Sequence, residues 1–197
     1  MKKKEMDIVF LLDRSGSMQD CVKDTIGGFN SYIEKQRDNK MNTLVTTVLF
    51  DNQYELLHDR ININKISNIT DKEYFVRGTT ALLDAIGTTI EDIDKKASNK
   101  VLFVITTDGL ENASTKYTRE HVKELIQAHP NWEFIYIGAN IDSFTESNSI
   151  GISKKNTCNY KTNSTGIKKM FKAVECATNS MYENDKVCEN WSNELNE

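Results

Sequence analysis

Val101 to Thr106 (VLFVIT) most constrains what this chain can fold into. The run carries no charge, is rich in β-branched residues, and is followed at once by Thr107-Asp108-Gly109. A short apolar stretch bounded by turn chemistry reads as a strand buried on both faces, which places it in the middle of a parallel sheet. A second run, Ile8 to Leu12, has the same character and stops at Asp13-Arg14-Ser15-Gly16-Ser17. Both carboxylates then stand at strand ends, where open α/β sheets build their sites.

The remaining pattern alternates. Met18, Val22, Ile26, Phe29 and Ile33 recur at spacings of three and four, as on one face of a helix. Gly27-Gly28 inside it costs about 1 kcal/mol per glycine in propensity, and close packing against the sheet is the expected compensation. Thr43 to Phe50 reads as a strand, Asp51-Asn52-Gln53 as a tight connection, and Tyr54 to His58 as an antiparallel return. A polar stretch with scattered isoleucines follows to Asp71. Arg77-Gly78-Thr79-Thr80 is a loop, and Leu82, Ile86, Ile90 and Ile93 mark a second helix. Thr118 is an N-cap for a helix carrying Val122, Leu125 and Ile126, which Pro130 ends. Trp132 to Ile137 is a further strand. A short helix is expected around Asp142 to Asn148. Ser164 is expected to cap a last helix bearing Ile167, Met170, Phe171, Val174 and Met181, and Asn190 to Glu197 to be a frayed tail. The expectation is one α/β domain, with helices on both faces of a mostly parallel sheet and one antiparallel edge strand.

Composition narrows the function. A net charge of −4 argues against a nucleic-acid binder, which needs a basic stripe; Lys2-Lys3-Lys4 reads as a solvated tail. The first apolar run carries Asp7 and ends at Asp13, so it is no signal peptide, and no run reaches the ~18 apolar residues of a membrane span. These features point to a cytoplasmic protein. The four cysteines (Cys21, Cys158, Cys176 and Cys188) form no C-x-x-C pair and show no zinc spacing, and no disulfide framework is expected. His58, His121 and His129 are isolated.

Three pieces carry chemistry: Asp13-x-Ser15-x-Ser17, Gly78-Thr79-Thr80, and Thr107-Asp108-Gly109. In a doubly wound sheet all three would face one carboxyl-end crevice. Two carboxylates with neutral hydroxyls suit a hard cation such as Mg²⁺, which takes about six oxygen ligands and keeps some waters. Two carboxylates and a dication sum to zero, so the site would accept an incoming anion.

The order and strand context of these pieces resemble the von Willebrand factor A domain family. Its metal-ion-dependent adhesion site is written D-x-S-x-S, then a distant Thr, then a distant Asp in T-D-G. Segments such as RGTTALLDAIG, TTDGLENAS and IGANIDSF are similar to small stand-alone bacterial or phage versions. The resemblance implies a Rossmann-like α/β/α fold over residues 1–189, with its core at 6–151, the last helix about 164–186 packed on it, and a tail at 190–197. It implies metal ligation by Asp13, Ser15, Ser17, Thr80 and Asp108, with Mg²⁺ the expected ion and Mn²⁺ or Ca²⁺ as alternatives. It also implies a non-catalytic module in which the metal bridges to an Asp or Glu of a partner protein, while charge and hydropathy, as above, leave no expectation of nucleic acid or membrane as a partner. Thr79 is the alternative to Thr80. Asp51, Asp84 and Glu111 lie near these loops, where each can orient a hydroxyl or a metal-bound water; solvated or capping carboxylates are the favoured reading of Asp51 and Glu111. Arg14 and Arg77 read as surface arginines, with steering of an acidic partner as the alternative.

Two rival functions remain. A Mg²⁺-dependent phosphotransfer or hydrolase enzyme would begin with an Asp at a strand end, but aspartyl phosphatases want D-x-D, and Ser15 stands there. No phosphate-cradling lysine loop and no G-x-S-x-G appears. A regulatory subunit of an ATPase or stress-response complex rests on family analogy alone.

Overall fold

In a computed structural model, described for residues 5–38, 41–97 and 100–195, two apolar strands form the centre of the sheet. Strand β1 (Glu5–Asp13) pairs in parallel with β4 (Val101–Thr107) on one side and with β2 (Asn42–Phe50) on the other. β2 turns through residues 51–53 into the antiparallel edge strand β3 (Tyr54–Asn62). Beyond β4 lie β5 (Trp132–Gly138) and the three-residue β6 (Thr157–Asn159), both parallel. The six-stranded order is β3-β2-β1-β4-β5-β6.

The strand period of two splits the core between two faces. Ile8, Phe10 and Leu12 of β1, with Leu102 and Val104 of β4, pack on α1 (Val22–Gln36) and α5 (Ser164–Asn184). Val9 and Leu11, with Val101, Phe103 and Ile105, pack on α2 (Leu82–Asp94) and α3 (Arg119–Gln127). On the first face Phe10 meets Phe29 and Tyr32 edge-on, with ring centroids at 5.5 and 5.1 Å. Burying each such ring contributes about 1.5–3 kcal/mol. The expected three-layer, mostly parallel architecture with one antiparallel edge strand is thus what the chain forms.

Several local expectations need correction. Gly28 does not ease α1 onto the sheet: a Cβ there would lie 2.2 Å from the Phe171 ring, so the glycine lets α1 and α5 approach each other. The helical run starting at Met18 divides into a 3₁₀ segment, Gly16–Cys21, and the α-helix proper. β3 continues four residues past His58, and β6 is too short to leave a sequence signal. Asn163, one residue before Ser164, caps α5 by accepting the Gly166 N–H. Thr118 caps α3 as expected, accepting from His121 N, and the short helix α4 spans Ser143–Ser149. Three isoleucines of the polar stretch are plugs: Ile63, Ile66 and Ile69 are buried whereas Ile61 is exposed, and the Asn30 amide both donates to Ile69 O and accepts from its N–H.

The segment after Asn190 is not frayed where it is described. Trp191 is buried, and its indole N–H donates to Lys155 O at 2.9 Å. Lys2-Lys3-Lys4 and residues 196–197 of the expected tail lie outside the described residues. Among the described residues no helix is long and apolar enough to cross a membrane.

Candidate metal centre

Three loops meet at the carboxyl ends of β1 and β4. Asp13 closes β1 and is 1% exposed. Its Oδ1 accepts the Ser15 N–H at 2.7 Å, which folds the chain into the first turn after the strand. Its Oδ2 accepts the Thr107 hydroxyl from the end of neighbouring β4 at 2.6 Å. The Tyr74 hydroxyl donates to Asp13 O, fixing the backbone from below. Ser15 Oγ and Ser17 Oγ lie 3.1 Å apart, and Ser17 Oγ donates to Asp108 Oδ1 at 2.5 Å. A continuous chain of oxygens therefore links the D-x-S-x-S turn to the T-D-G turn.

Thr80 arrives on the third loop. Gly78 adopts φ +63°, a left-handed conformation that favours glycine, and a Cβ there would lie 2.0 Å from Asn52 Oδ1. The loop is tied to the first turn by Gly16 N to Gly78 O and by Arg77 N to Arg14 O. Thr80 and Asn112 then bond reciprocally, Thr80 N to Asn112 Oδ1 and Asn112 N to Thr80 O, each at 3.0 Å. As a result Thr80 is buried while Thr79 is exposed. A Cβ placed on Gly109 would meet Thr80 Oγ1 at 3.2 Å and Ser17 Oγ at 3.9 Å, so both hydroxyls face the same spot beside Asp108.

Burial disfavours both carboxylates in their charged form. It pushes Asp13 up to about 6, against the downward pull of the Thr107 and Ser15 hydrogen bonds; nearby Asp108 adds to the rise. Asp108 is raised too, chiefly by burial, with the Ser17 hydrogen bond opposing. Asp108 Oδ2 is buried without a hydrogen-bond partner. A buried anionic oxygen without a partner is costly unless something positive completes it. Among the described residues no three His, Cys, Asp or Glu side chains form a metal cage. A cation here would rest on two carboxylates and neutral hydroxyls, the donor set of a hard divalent ion. The residues present fit such an ion.

The other expected residues do different work. Asp51 is fully buried and holds two arginines, Arg14 Nε at 3.2 Å and Arg77 Nε at 2.6 Å, while Oδ1 accepts Gln53 N. Arg14 is no surface residue: it is completely buried, with Nη2 2.7 Å from Glu55. The exposed Phe75 ring lies over the Arg14 and Arg77 guanidinium groups at 5.4 and 5.6 Å. Asp84 accepts the backbone N–H groups of Thr115, Lys116 and Tyr117. Glu111 accepts those of Leu83, Ala113 and Ser114, capping the start of α2. Among the described hydrogen bonds none runs from the Asp51, Asp84 or Glu111 side chain to a side chain of the five-residue constellation. Sequence reasoning singled out Thr107 as part of Thr107-Asp108-Gly109 without giving it a role, and it missed Tyr74 and Asn112, which leave no signal of their own.

The profile of the family described as von Willebrand factor type A domain matches residues 7–173. No curated protein matches the sequence. Among solved structures, the chain is similar to the D319A mutant of the PilB minor pilin from Streptococcus sanguinis, with a TM-score of 0.69, 12% identity, and coverage of 93% of this chain and 64% of that one. It is similar to a von Willebrand factor type A protein from Catenulispora acidiphila, at 0.65 and 15% identity, covering 88% and 42%. It is also similar to proximal thread matrix protein 1 from the mussel byssus with a zinc-occupied MIDAS motif, at 0.62 and 16% identity, covering 88% and 45%. At these identities the likeness is one of fold. The chain spans between 42% and 64% of the length of these three proteins.

Proposed function

The chain belongs to the von Willebrand factor type A domain family, and from that premise we propose that it is a non-catalytic, divalent-metal-dependent protein-binding module. Asp13, Ser15, Ser17, Thr80 and Asp108 would hold Mg²⁺, and a partner's Asp or Glu carboxylate would complete the shell. The observation that carries this reading is Asp108 Oδ2, buried and unpartnered beside two converging hydroxyls. Mg²⁺ bound there would act as a Lewis acid for an oxygen anion, while the chain's own carboxylates cancel its charge. Thr107 and the Ser15 N–H hold Asp13 in place, and the Thr80–Asn112 pair holds the third loop. Ser17 stands at the exposed rim, where an incoming carboxylate has access. Mn²⁺ and Ca²⁺ share the oxygen preference and are the alternatives to Mg²⁺. The zinc-occupied motif of the mussel protein supports a divalent ion of some kind.

The test is affinity capture from native lysate, with wild type and Asp13→Ala as baits, in Mg²⁺ and in EDTA. A protein retained only by wild type in Mg²⁺, and released by free glutamate-rich peptide, is the expected result. Capture indifferent to EDTA and to Asp13 would refute the metal-bridged mode.

A further inference from the structure

At the far end of α5 two thiols meet that sequence spacing does not pair. α5 ends at Asn184, and Asp185 takes a left-handed conformation (φ +60°) that turns the chain back along the helix. The returning segment is held at several points. Cys188 N donates to Ser180 Oγ, one turn beyond Cys176, and Ser180 Oγ donates to Lys186 O, both at 2.9 Å. Trp191 N donates to Cys188 O, and the buried Trp191 indole anchors the segment to Lys155 O. Between these ties Cys176 Sγ and Cys188 Sγ lie 3.9 Å apart, each side chain half-buried.

We propose that Cys176 and Cys188 are a reversible dithiol–disulfide pair, oxidised by low-molecular-weight disulfides, whose closure clamps the C-terminal segment onto α5. The sulfurs already lie 3.9 Å apart, and the ties on either side of Cys188 hold it beside Cys176, so the two thiols meet without any rearrangement of the fold. Among the described residues no third His, Cys, Asp or Glu joins them in a metal cage, which favours a disulfide over a metal site.

The exchange balances without any other oxidant. One protein thiolate, Cys188, attacks a sulfur of the small disulfide, whose S–S bond breaks and releases one small thiolate. Cys176 Sγ, losing its proton, then attacks Cys188 Sγ of the mixed disulfide and expels the second small thiolate. The small disulfide is reduced to two thiols, which take up the two protons, and the protein pair is oxidised. Burial, and then the neighbouring Cys188, pushes Cys176 up to about 11, so Cys176 suits the second, intramolecular step, where proximity compensates for a small thiolate fraction. Cys21 and Cys158 are 1% and 2% exposed and out of reach of the oxidant while the chain is folded.

The probe is oxidised glutathione on the folded protein, followed by alkylation, trypsin and mass spectrometry. Cleavage after Lys172 and Lys186 separates the two cysteines. The expected product is peptide 173–186 linked to peptide 187–197 within a monomer, lost on reduction. Cys176→Ser should instead stop at a stable glutathione adduct on Cys188. In EDTA and in Mg²⁺ alike, the oxidised wild type should melt several degrees above the reduced form, and dithiothreitol should reverse the rise. Glutathione adducts that persist on both cysteines, a link between two chains, or two unmodified thiols after exposure would each overturn the proposal. Because the readout does not require metal, failure of the metal reading leaves this result unaffected.

Discussion

Replacing Asp13 by asparagine should make the metal-free protein more stable while abolishing its response to metal. Burial raises the Asp13 carboxyl from 3.8 to about 6. The folded state therefore holds its proton more tightly than the unfolded chain does. Its contribution is fully present below pH 3.8 and is lost as pH rises through about 6. A shift of roughly two units corresponds to about 3 kcal/mol of penalty at pH 7.5. Asparagine carries no charge to desolvate, but it offers one acceptor oxygen where Asp13 takes both the Ser15 N–H and the Thr107 hydroxyl. Losing one of these returns about 1 kcal/mol. The net gain of about 2 kcal/mol should raise the melting temperature by about 4–8 °C in EDTA at pH 7.5, at the 2–4 °C per kcal/mol of a chain this size. At pH 4 the difference should vanish or reverse. Saturating Mg²⁺ should raise only the wild type, by about 2.7 kcal/mol at a hundred times the dissociation constant. Scanning fluorimetry over pH, in EDTA and in Mg²⁺, reads all of this. An Asp13→Asn protein that melts below wild type in EDTA at pH 7.5, or that gains as much from Mg²⁺, would refute the reasoning.

Thr107→Val removes the hydroxyl that donates to Asp13 Oδ2 at 2.6 Å while keeping the β-branched shape. Titration calorimetry should show Mg²⁺ affinity falling about 10–100-fold, the usual effect of losing a group that orients a ligand, with the fold retained; unchanged affinity would show that Asp13 is held without it. Arg14→Met leaves Asp51 buried with only Arg77 and the Gln53 N–H. Urea unfolding should report a loss of about 3 kcal/mol, the low end for breaking a buried pair. A neutral outcome would mean that the charges repack or hydrate.

The central strands were legible because burial on both faces writes itself as uninterrupted apolar sequence in 8–12 and 101–106. Asp13 and Asp108 stood out for the same reason, as the first charges to break those runs. What stayed hidden depends on distant partners. Arg14 lies in a hydroxyl-rich turn and looks exposed; only Asp51 and Glu55, 37 and 41 residues away, make its burial tolerable. The role of Gly28 is set by Phe171 on another helix. Trp191 sits in a polar, acidic stretch whose composition says tail, yet its anchor is a carbonyl 36 residues upstream. β6 has three residues, too few for any periodicity to register.

The acids around the centre explain how its charge is set. Five carboxylates cluster in these loops by sequence, and five negative charges would suit no single dication. The fold removes three from the count. Asp51 is consumed by two arginines, and Asp84 and Glu111 by backbone N–H groups of the loop after β4. Those bonds also fasten that loop to the start of α2, where Leu83 N and Asp84 N find their partners on Glu111 and Ser114. What remains at the centre is Asp13 and Asp108, both disfavoured as anions by burial, with the Ser15, Ser17, Thr80 and Thr107 hydroxyls around them. A frame carrying two carboxylates would balance the charge of one divalent ion, and an ion held there would keep its affinity for one more oxygen anion from outside, which is the property that the proposed metal-bridged contact requires.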